Sequence, residues 1–256
     1  MKISILGAGD FGTALGSILA EKGWDIDYYD SKIERERLMD VLSRAKYILL
    51  CVPSKSVPYL LPYVPKDIPL IVATKGLLTD DCLKEFRDYM VLSGPGFAVD
   101  IKARRKTFLT ATDQRVIDLF SIPSLQFDFT EDRRGVLMCG SLKNVYAILA
   151  GLKRLQPRSA EWYDFVHQAS KEMSRLLMAN SANSNTADLE CGIGDLKLTC
   201  GLPSRNYEYG TIIATQPGFE PENTVEGLTA ARRIKHGEIN VPEGLPLLSE
   251  VLSGIN

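Results

Sequence analysis

Residues 2–12 read Lys2-Ile3-Ser4-Ile5-Leu6-Gly7-Ala8-Gly9-Asp10-Phe11-Gly12. A short apolar run stops at a Gly-x-Gly-x-x-Gly turn. Phe11, Ala14, Leu15, Ile18 and Leu19 then recur at helical spacing, so the glycines join a strand to a helix. Gly7 allows the tight turn, Gly9 lets backbone approach a pyrophosphate, and Gly12 lets helix and sheet pack closely. The helix start turns unpaired N–H groups and the positive end of its dipole toward the phosphates. Asp10 and Phe11, inside the turn, fall in the same expected cofactor-binding set. The strand–turn–helix context separates this pattern from a chance glycine triplet. The plain alternative is a structural turn in some other α/β protein.

Gly23 reads as the end of that helix and residues 24–29 as a second strand. Asp30 closes the strand, 18 residues after Gly12. A carboxylate there accepts hydrogen bonds from both ribose hydroxyls and repels a 2′-phosphate, which favours NAD over NADP. Lys32 and Arg35 pull the other way, because each attracts phosphate. Capping of the next helix is the plain alternative for Asp30.

Strand and helix signals alternate onward from there. Residues 46–52 and 70–74 read as buried parallel strands, and 107–111 and 125–129 as later ones. Helices are expected near 80–89 and 114–120. After residue 130 the pattern becomes helical, with long stretches at 137–155 and 161–182. The prediction is an α/β chain with an N-terminal doubly wound (Rossmann-type) parallel sheet over 1–130 and a C-terminal all-helical domain over 131–256. Ligands of such sheets bind beyond the carboxyl ends of the strands. Ser54, Lys75 and the turn Ser93-Gly94-Pro95-Gly96 fall at those ends.

Bulk properties exclude several classes. The 256 residues are 45% hydrophobic and 24% charged, with formal charge −2, as in an ordinary folded domain pair. Without a basic excess, nucleic acid and anionic membranes are not expected partners. No apolar run reads as a membrane span, and the N-terminus reads as strand and turn rather than a signal peptide. The five cysteines form no C-x-x-C pair, which suits reduced thiols in a cytoplasmic protein. The two histidines, His167 and His236, lack partners at ligand spacing, so no metal is expected.

Two stretches concentrate chemistry. In the helix at 137–155, Gly140, Lys143, Asn144, Ala147 and Gly151 lie on a face of small side chains, while Leu142, Val145, Leu149 and Leu152 suit core packing. A lysine on such a face is either at a crowded junction or lining a cleft; an ordinary solvated lysine is the plain alternative. Further on, Gly192-Ile193-Gly194-Asp195 precedes Thr199, and Ser204-Arg205-Asn206 follows Pro203. A guanidinium fork beside an amide suits a phosphate; a capping aspartate and a surface arginine are the plain alternative.

In order, the chain carries Gly7-Ala-Gly-Asp-Phe-Gly-Thr-Ala-Leu-Gly16, Cys51-Val-Pro-Ser54, Lys75-Gly76, Ser93-Gly-Pro-Gly-Phe-Ala98, Cys139-Gly-Ser-Leu-Lys-Asn-Val145, Gly194-Asp-Leu-Lys-Leu-Thr-Cys200, Ser204-Arg-Asn206 and Val225-Glu-Gly227. Together these blocks, spanning residues 1 to about 235, resemble the soluble NAD(P)-dependent glycerol-3-phosphate dehydrogenases. The resemblance implies an oxidoreductase that interconverts dihydroxyacetone phosphate and sn-glycerol 3-phosphate, feeding phospholipid-precursor synthesis. It implies that Lys143 is the catalytic lysine, that Lys75 is a second lysine near the reacting carbonyl, and that Asp195 and Thr199 orient Lys143. It further implies that Arg205 and Asn206 hold the substrate phosphate beside Asn144. Pro53, Ala98 and Glu226 would lie near the cofactor.

The chemistry agrees, since with few histidines a lysine is the natural proton donor to a forming alkoxide. Asp195 would keep Lys143 protonated and Lys75 would oppose that. The chain also departs from the family pattern. Gly96 stands where the family commonly has a second serine, so a polar contact to substrate is expected to be missing. Arg158-Ser-Ala-Glu-Trp-Tyr-Asp164 replaces a Gly-Asp-Asn-(Ala/Thr)-Lys-Ala-Ala block. Two rivals follow: a reductase of another small phosphorylated or acidic carbonyl compound, and a non-catalytic NAD(H)-binding sensor. The shortened helical half leaves apolar surface for a homodimer.

Overall fold

The computed structural model describes residues 1–30, 36–201 and 203–255. The chain forms two compact units. Unit 1 comprises Met1–Lys75 and Asp80–Arg133; unit 2 comprises Gly76–Thr79 and Arg134–Asn256.

Unit 1 is built on seven strands: β1 Lys2–Leu6, β2 Asp25–Tyr29, β3 Ala45–Leu50, β4 Leu70–Val72, β5 Tyr89–Ser93, β6 Thr107–Ala111 and β7 Leu125–Phe129. Its helices are α1 Asp10–Glu21, α2 Glu36–Leu42, α3 Val57–Leu60, α4 Ala98–Lys102 and α5 Gln114–Phe120. The sheet order is β2-β1-β3-β4-β5-β6-β7. The strands β1 to β5 run parallel, and the connections leave β1 and β3 toward opposite edges, creating a topological switch point between them. Ile3, Ile5, Leu15, Ile18, Leu49 and Ile71 form the core where α1 covers the sheet.

Two expectations need correction. The sheet is not parallel throughout: β6 runs antiparallel to β5, and β7 follows β6. The chain re-enters the sheet at β6 from the end at which it left β5, with Leu92 opposite Ala111 and Ser93 opposite Thr110. In place of a helix at 80–89 there is a single 3₁₀ turn, Asp81–Leu83, then irregular chain into β5. Buried Leu83 and Phe86 make only one apolar period, too short for a helix to persist.

Unit 2 contains α6 Arg133–Leu152, α7 Ala160–Ala179, α8 Asp195–Thr199, α9 Arg205–Ile213, α10 Glu226–Lys235 and α11 Pro246–Gly254. No strand occurs among its described residues. Contrary to the expectation that no segment resembles a membrane span, α6 is long and apolar enough to cross one. Within unit 2, 94% of that stretch is buried, so it is a core helix. Its small residues let other backbones touch it. A Cβ at Gly151 would lie 2.0 Å from Tyr207 O on α9, and one at Gly210 on α9 would lie 2.1 Å from Ile148 O. The start of α10 is equally close, because a Cβ at Gly227 would lie 2.3 Å from Asn144 O. Buried Glu172 on α7 accepts the N–H groups of Leu247 and Leu248 (both 2.9 Å), capping α11, and takes a third bond from Tyr146 (3.2 Å).

The glycine turn separates packing from open space. A Cβ at Gly12 would sit 2.0 Å from Gly7 O, whereas one at Gly9 would meet nothing within 4 Å. Gly12→Ala should therefore lower folding stability by about 1–3 kcal/mol, while Gly9→Ala should stay within about 0.5 kcal/mol of the parent. Urea unfolding of the two variants checks both.

Candidate active site

The carboxyl ends of the unit 1 strands gather the expected nucleotide-binding residues. Gly7, at φ +112°, turns the chain out of β1 and donates its N–H to Tyr29 O at 2.8 Å. Asp30, the next residue, thus stands beside the glycine turn. The N–H of Cys51 donates to Leu6 O (2.8 Å), which brings Pro53, just past β3, to the other side of the switch point. Gly9 is the N-cap of α1 and supplies no side-chain cap, so the first N–H groups of this twelve-residue helix face outward. The open space at the Gly9 Cβ position is where a bound phosphate would reach backbone. Exposed Asp10 pairs with Lys102 of α4 at 3.6 Å. Lys75, past β4, lies with its Nζ 5.0 Å from the centre of the Phe11 ring, a cation–π contact that holds it over the turn. Ala98 opens α4 and packs partly against the core. Residues 31–35, and with them the expectations for Lys32, Arg35 and a helix start after Asp30, lie outside the described residues.

In unit 2 the geometry centres on an ion pair. Lys143 of α6 and Asp195, the first residue of α8, pair through Nζ and Oδ2 while 2% and 1% exposed. The solvated alternative for Lys143 is thereby removed. Thr199, one turn along α8, donates its hydroxyl to Asp195 O (2.6 Å) and lies 3.3 Å from Asp195 Oδ1. The buried Cys200 thiol stands close by. Burial pushes its pKa well up, Lys143 partly offsets this, and Asp195 adds to it. The thiol therefore stays neutral, and Asp195 is the anion facing the ammonium. Among the described residues no cluster of three or more His, Cys, Asp or Glu is placed to hold a metal.

Next to the ion pair runs a chain of amides. The Nδ2 group of Asn144 donates to Gly140 O (3.1 Å), Asn206 Nδ2 donates to Asn144 Oδ1 (2.9 Å), and the Gly227 N–H donates to Asn206 Oδ1 (2.9 Å). Asn206 thus ties α6, α9 and the start of α10 together, fixing Glu226 at the first position of α10. Neighbouring Arg205 is exposed, with no ion pair to it among the described residues. The sequence pattern had put these groups on one list. Only the fold shows Asn206 engaged in bracing while the Arg205 guanidinium faces outward. The role of the Gly227 N–H could not be read from sequence, because a backbone donor carries no residue-specific signal.

A Cβ at Gly96 would face Leu109 Cδ2 (3.2 Å), Ile101 Cδ1 (3.3 Å) and Thr107 Cγ2 (3.4 Å), so the position starts against packed side chains of unit 1. The thiol of Cys51, behind the glycine turn, is driven by burial to about 12 and is neutral.

Residues 132–253 match the family described as NAD-dependent glycerol-3-phosphate dehydrogenase C-terminus. Glycerol-3-phosphate dehydrogenase [NAD(P)+] of Leptospira biflexa is 30% identical over 82% of this chain and 78% of its own length. The protein of that name from Agrobacterium fabrum is 30% identical over 94% of this chain and 90% of its own. In fold, the chain is similar to the crystal structure of glycerol-3-phosphate dehydrogenase from Coxiella burnetii, with a TM-score of 0.81, 24% identity, and coverage of 98% of this chain and 93% of that one. The identity shared along nearly the whole Agrobacterium protein carries the conclusion that this chain belongs to the NAD(P)-dependent glycerol-3-phosphate dehydrogenase family.

Proposed function

We propose that this chain interconverts dihydroxyacetone phosphate and sn-glycerol 3-phosphate, with unit 1 holding the nicotinamide dinucleotide and unit 2 the triose. The observation that carries the reading is the buried Lys143–Asp195 pair. Ketone reduction needs a hydride at carbon and compensation of charge at oxygen. When bound, the reduced dinucleotide supplies the hydride to substrate C2. Gly9 and the start of α1 would hold its pyrophosphate and Asp30 its ribose hydroxyls, with Pro53 and Ala98 beside it. Lys143 holds a proton at Nζ and gives it to the carbonyl oxygen as negative charge develops there, yielding the alcohol. Asp195 stabilises the ammonium before transfer and favours its return afterwards, and Thr199 fixes the carboxylate. Lys75 adds positive potential at the carbonyl. Arg205 grips the phosphate through its guanidinium fork, and Asn144 and Asn206 shape the surface beside it. Glu226, whose backbone position is set by the Asn206–Gly227 bond, would belong to the cofactor-binding set. The same reading extends to a cytoplasmic location and to pairing of two copies, the latter checked by sedimentation.

Purified protein should oxidise NADH with dihydroxyacetone phosphate, seen as loss of nicotinamide absorbance. Deleting Lys143 alone would strand Asp195 as a buried unpaired charge, which costs about 3–5 kcal/mol. The double variant Lys143→Met/Asp195→Asn removes both charges. It should fold, as judged by its circular dichroism, and lose about 10²- to 10⁴-fold in kcat. Turnover near the parent rate would remove the lysine from its role. Arg205→Ala should raise KM for the triose phosphate about 10- to 100-fold, with a smaller change in kcat, from loss of a charge-assisted contact. NADH should be preferred over NADPH, and Asp30→Ala should narrow that preference in paired kcat/KM measurements.

A further inference from the structure

The Lys143–Asp195 pair depends on a very short helix. At five residues, α8 makes little more than one turn, too little to persist by itself. Its entry is fixed by the π-helical turn Glu190–Gly194, where a Cβ at Gly192 would lie 2.2 Å from Ala187 O. Its exit is the C-cap residue Cys200, whose carbonyl accepts the indole Nε1–H of Trp162 at 2.7 Å. Gly201 follows, so close to Pro157 that a Cβ would sit 2.7 Å from Pro157 Cγ.

Trp162 is itself firmly placed. It lies in the first turn of α7, where Ser159 Oγ accepts its backbone N–H at 3.1 Å. Its indole is buried, edge-on to Tyr163 with ring centroids 5.0 Å apart. The segment 157–162 therefore grips the two residues that follow Thr199. This is the same stretch in which the chain departs from the family pattern.

We propose that Trp162 is a positioning residue for the reaction: its indole N–H, by holding the Cys200 carbonyl, sets where α8 presents Asp195 to Lys143 and so how tightly Lys143 keeps its proton. The proposal rests on the reading of Lys143 as proton donor. A single turn has no slack, so a shift at Cys200 moves Thr199 and Asp195 with it. A buried ion pair is steeply sensitive to separation, because little water screens it. Titratable groups set against the ammonium include Asp195, by ion pair, and the neutral Cys200 thiol from the end of the same helix. On α7, Glu172 is directed instead to Tyr146 and the start of α11.

The direction of the effect follows from charge. Slackening the Asp195 contact destabilises the ammonium more than the neutral amine, so the pKa of Lys143 falls. Two replacements remove the indole N–H and keep apolar bulk: Trp162→Phe, and 3-benzothienylalanine at position 162, nearly the shape of tryptophan with sulfur in place of N–H. Both should move the alkaline limb of kcat for dihydroxyacetone phosphate reduction to lower pH by about half a unit or more. Both should lower kcat about 3- to 10-fold, with KM for the triose phosphate and Kd for NADH unchanged. A readout without substrate is the ¹³Cε shift of Lys143 in lysine-labelled protein, assigned by difference from Lys143→Arg and titrated with pH. Its midpoint should fall in both variants. A titration that overlays the parent in both, even with a lowered Tm, would reduce Trp162 to packing and overturn the proposal. If the midpoint falls but the parent never turns over the triose phosphate, the positioning role stands and the substrate reading fails.

Discussion

A lysine ammonium taken out of water must meet an anion or give up its proton, and everything distinctive in unit 2 follows from that constraint. Lys143 sits in the middle of the most buried helix of the chain, and the carboxylate that answers it comes from a segment more than fifty residues away. Buried ion pairs contribute little net stability, since the loss of hydration offsets most of the attraction. Their value here is chemical. In the proposed reaction the pair would keep a proton at one defined atom, Lys143 Nζ, for transfer to a developing alkoxide. Mobile α8 would make that proton poorly defined, so the helix is held at both ends: by backbone against Ala187 at its entry and by the Trp162 indole at its exit.

Small residues make the rest of the arrangement possible. Gly151 and Gly210 let α6 and α9 touch backbone to backbone, and Gly227 lets α10 reach Asn144. At these distances the amides of Asn144 and Asn206 can span three helices. In unit 1 the logic is inverted at one position: Gly7 and Gly12 are small because protein backbone is close, and Gly9 is small beside open space. One motif thus contains both close backbone packing and open space at the start of α1.

The two departures from the family pattern each have a local structural setting. Gly96 sits against side chains of Leu109, Ile101 and Thr107. The 158–164 replacement supplies a helix cap in Ser159 and an anchor in Trp162. Neither consequence was legible beforehand, because the direction of a Cβ and the partner of an indole N–H both depend on chain distant in sequence.

Local order alone determined a good deal about this protein. Spacing and turn chemistry marked β1, the glycine turn and α1, the alternation of the sheet, and the long helices α6 and α7, because those signals arise within a dozen residues. The order of family-like blocks pointed to the chemistry and to Lys143, Asp195 and Arg205. Tertiary structure alone decided that β6 reverses, since strand direction is set by the end of β5 at which the returning chain begins to pair. It also decided that the region 80–89 is not a helix, that apolar α6 is a core element, and that Asn206 braces while Arg205 faces outward. The physical reason is common to all four: burial and pairing are properties of two segments together, and no single segment encodes its partner.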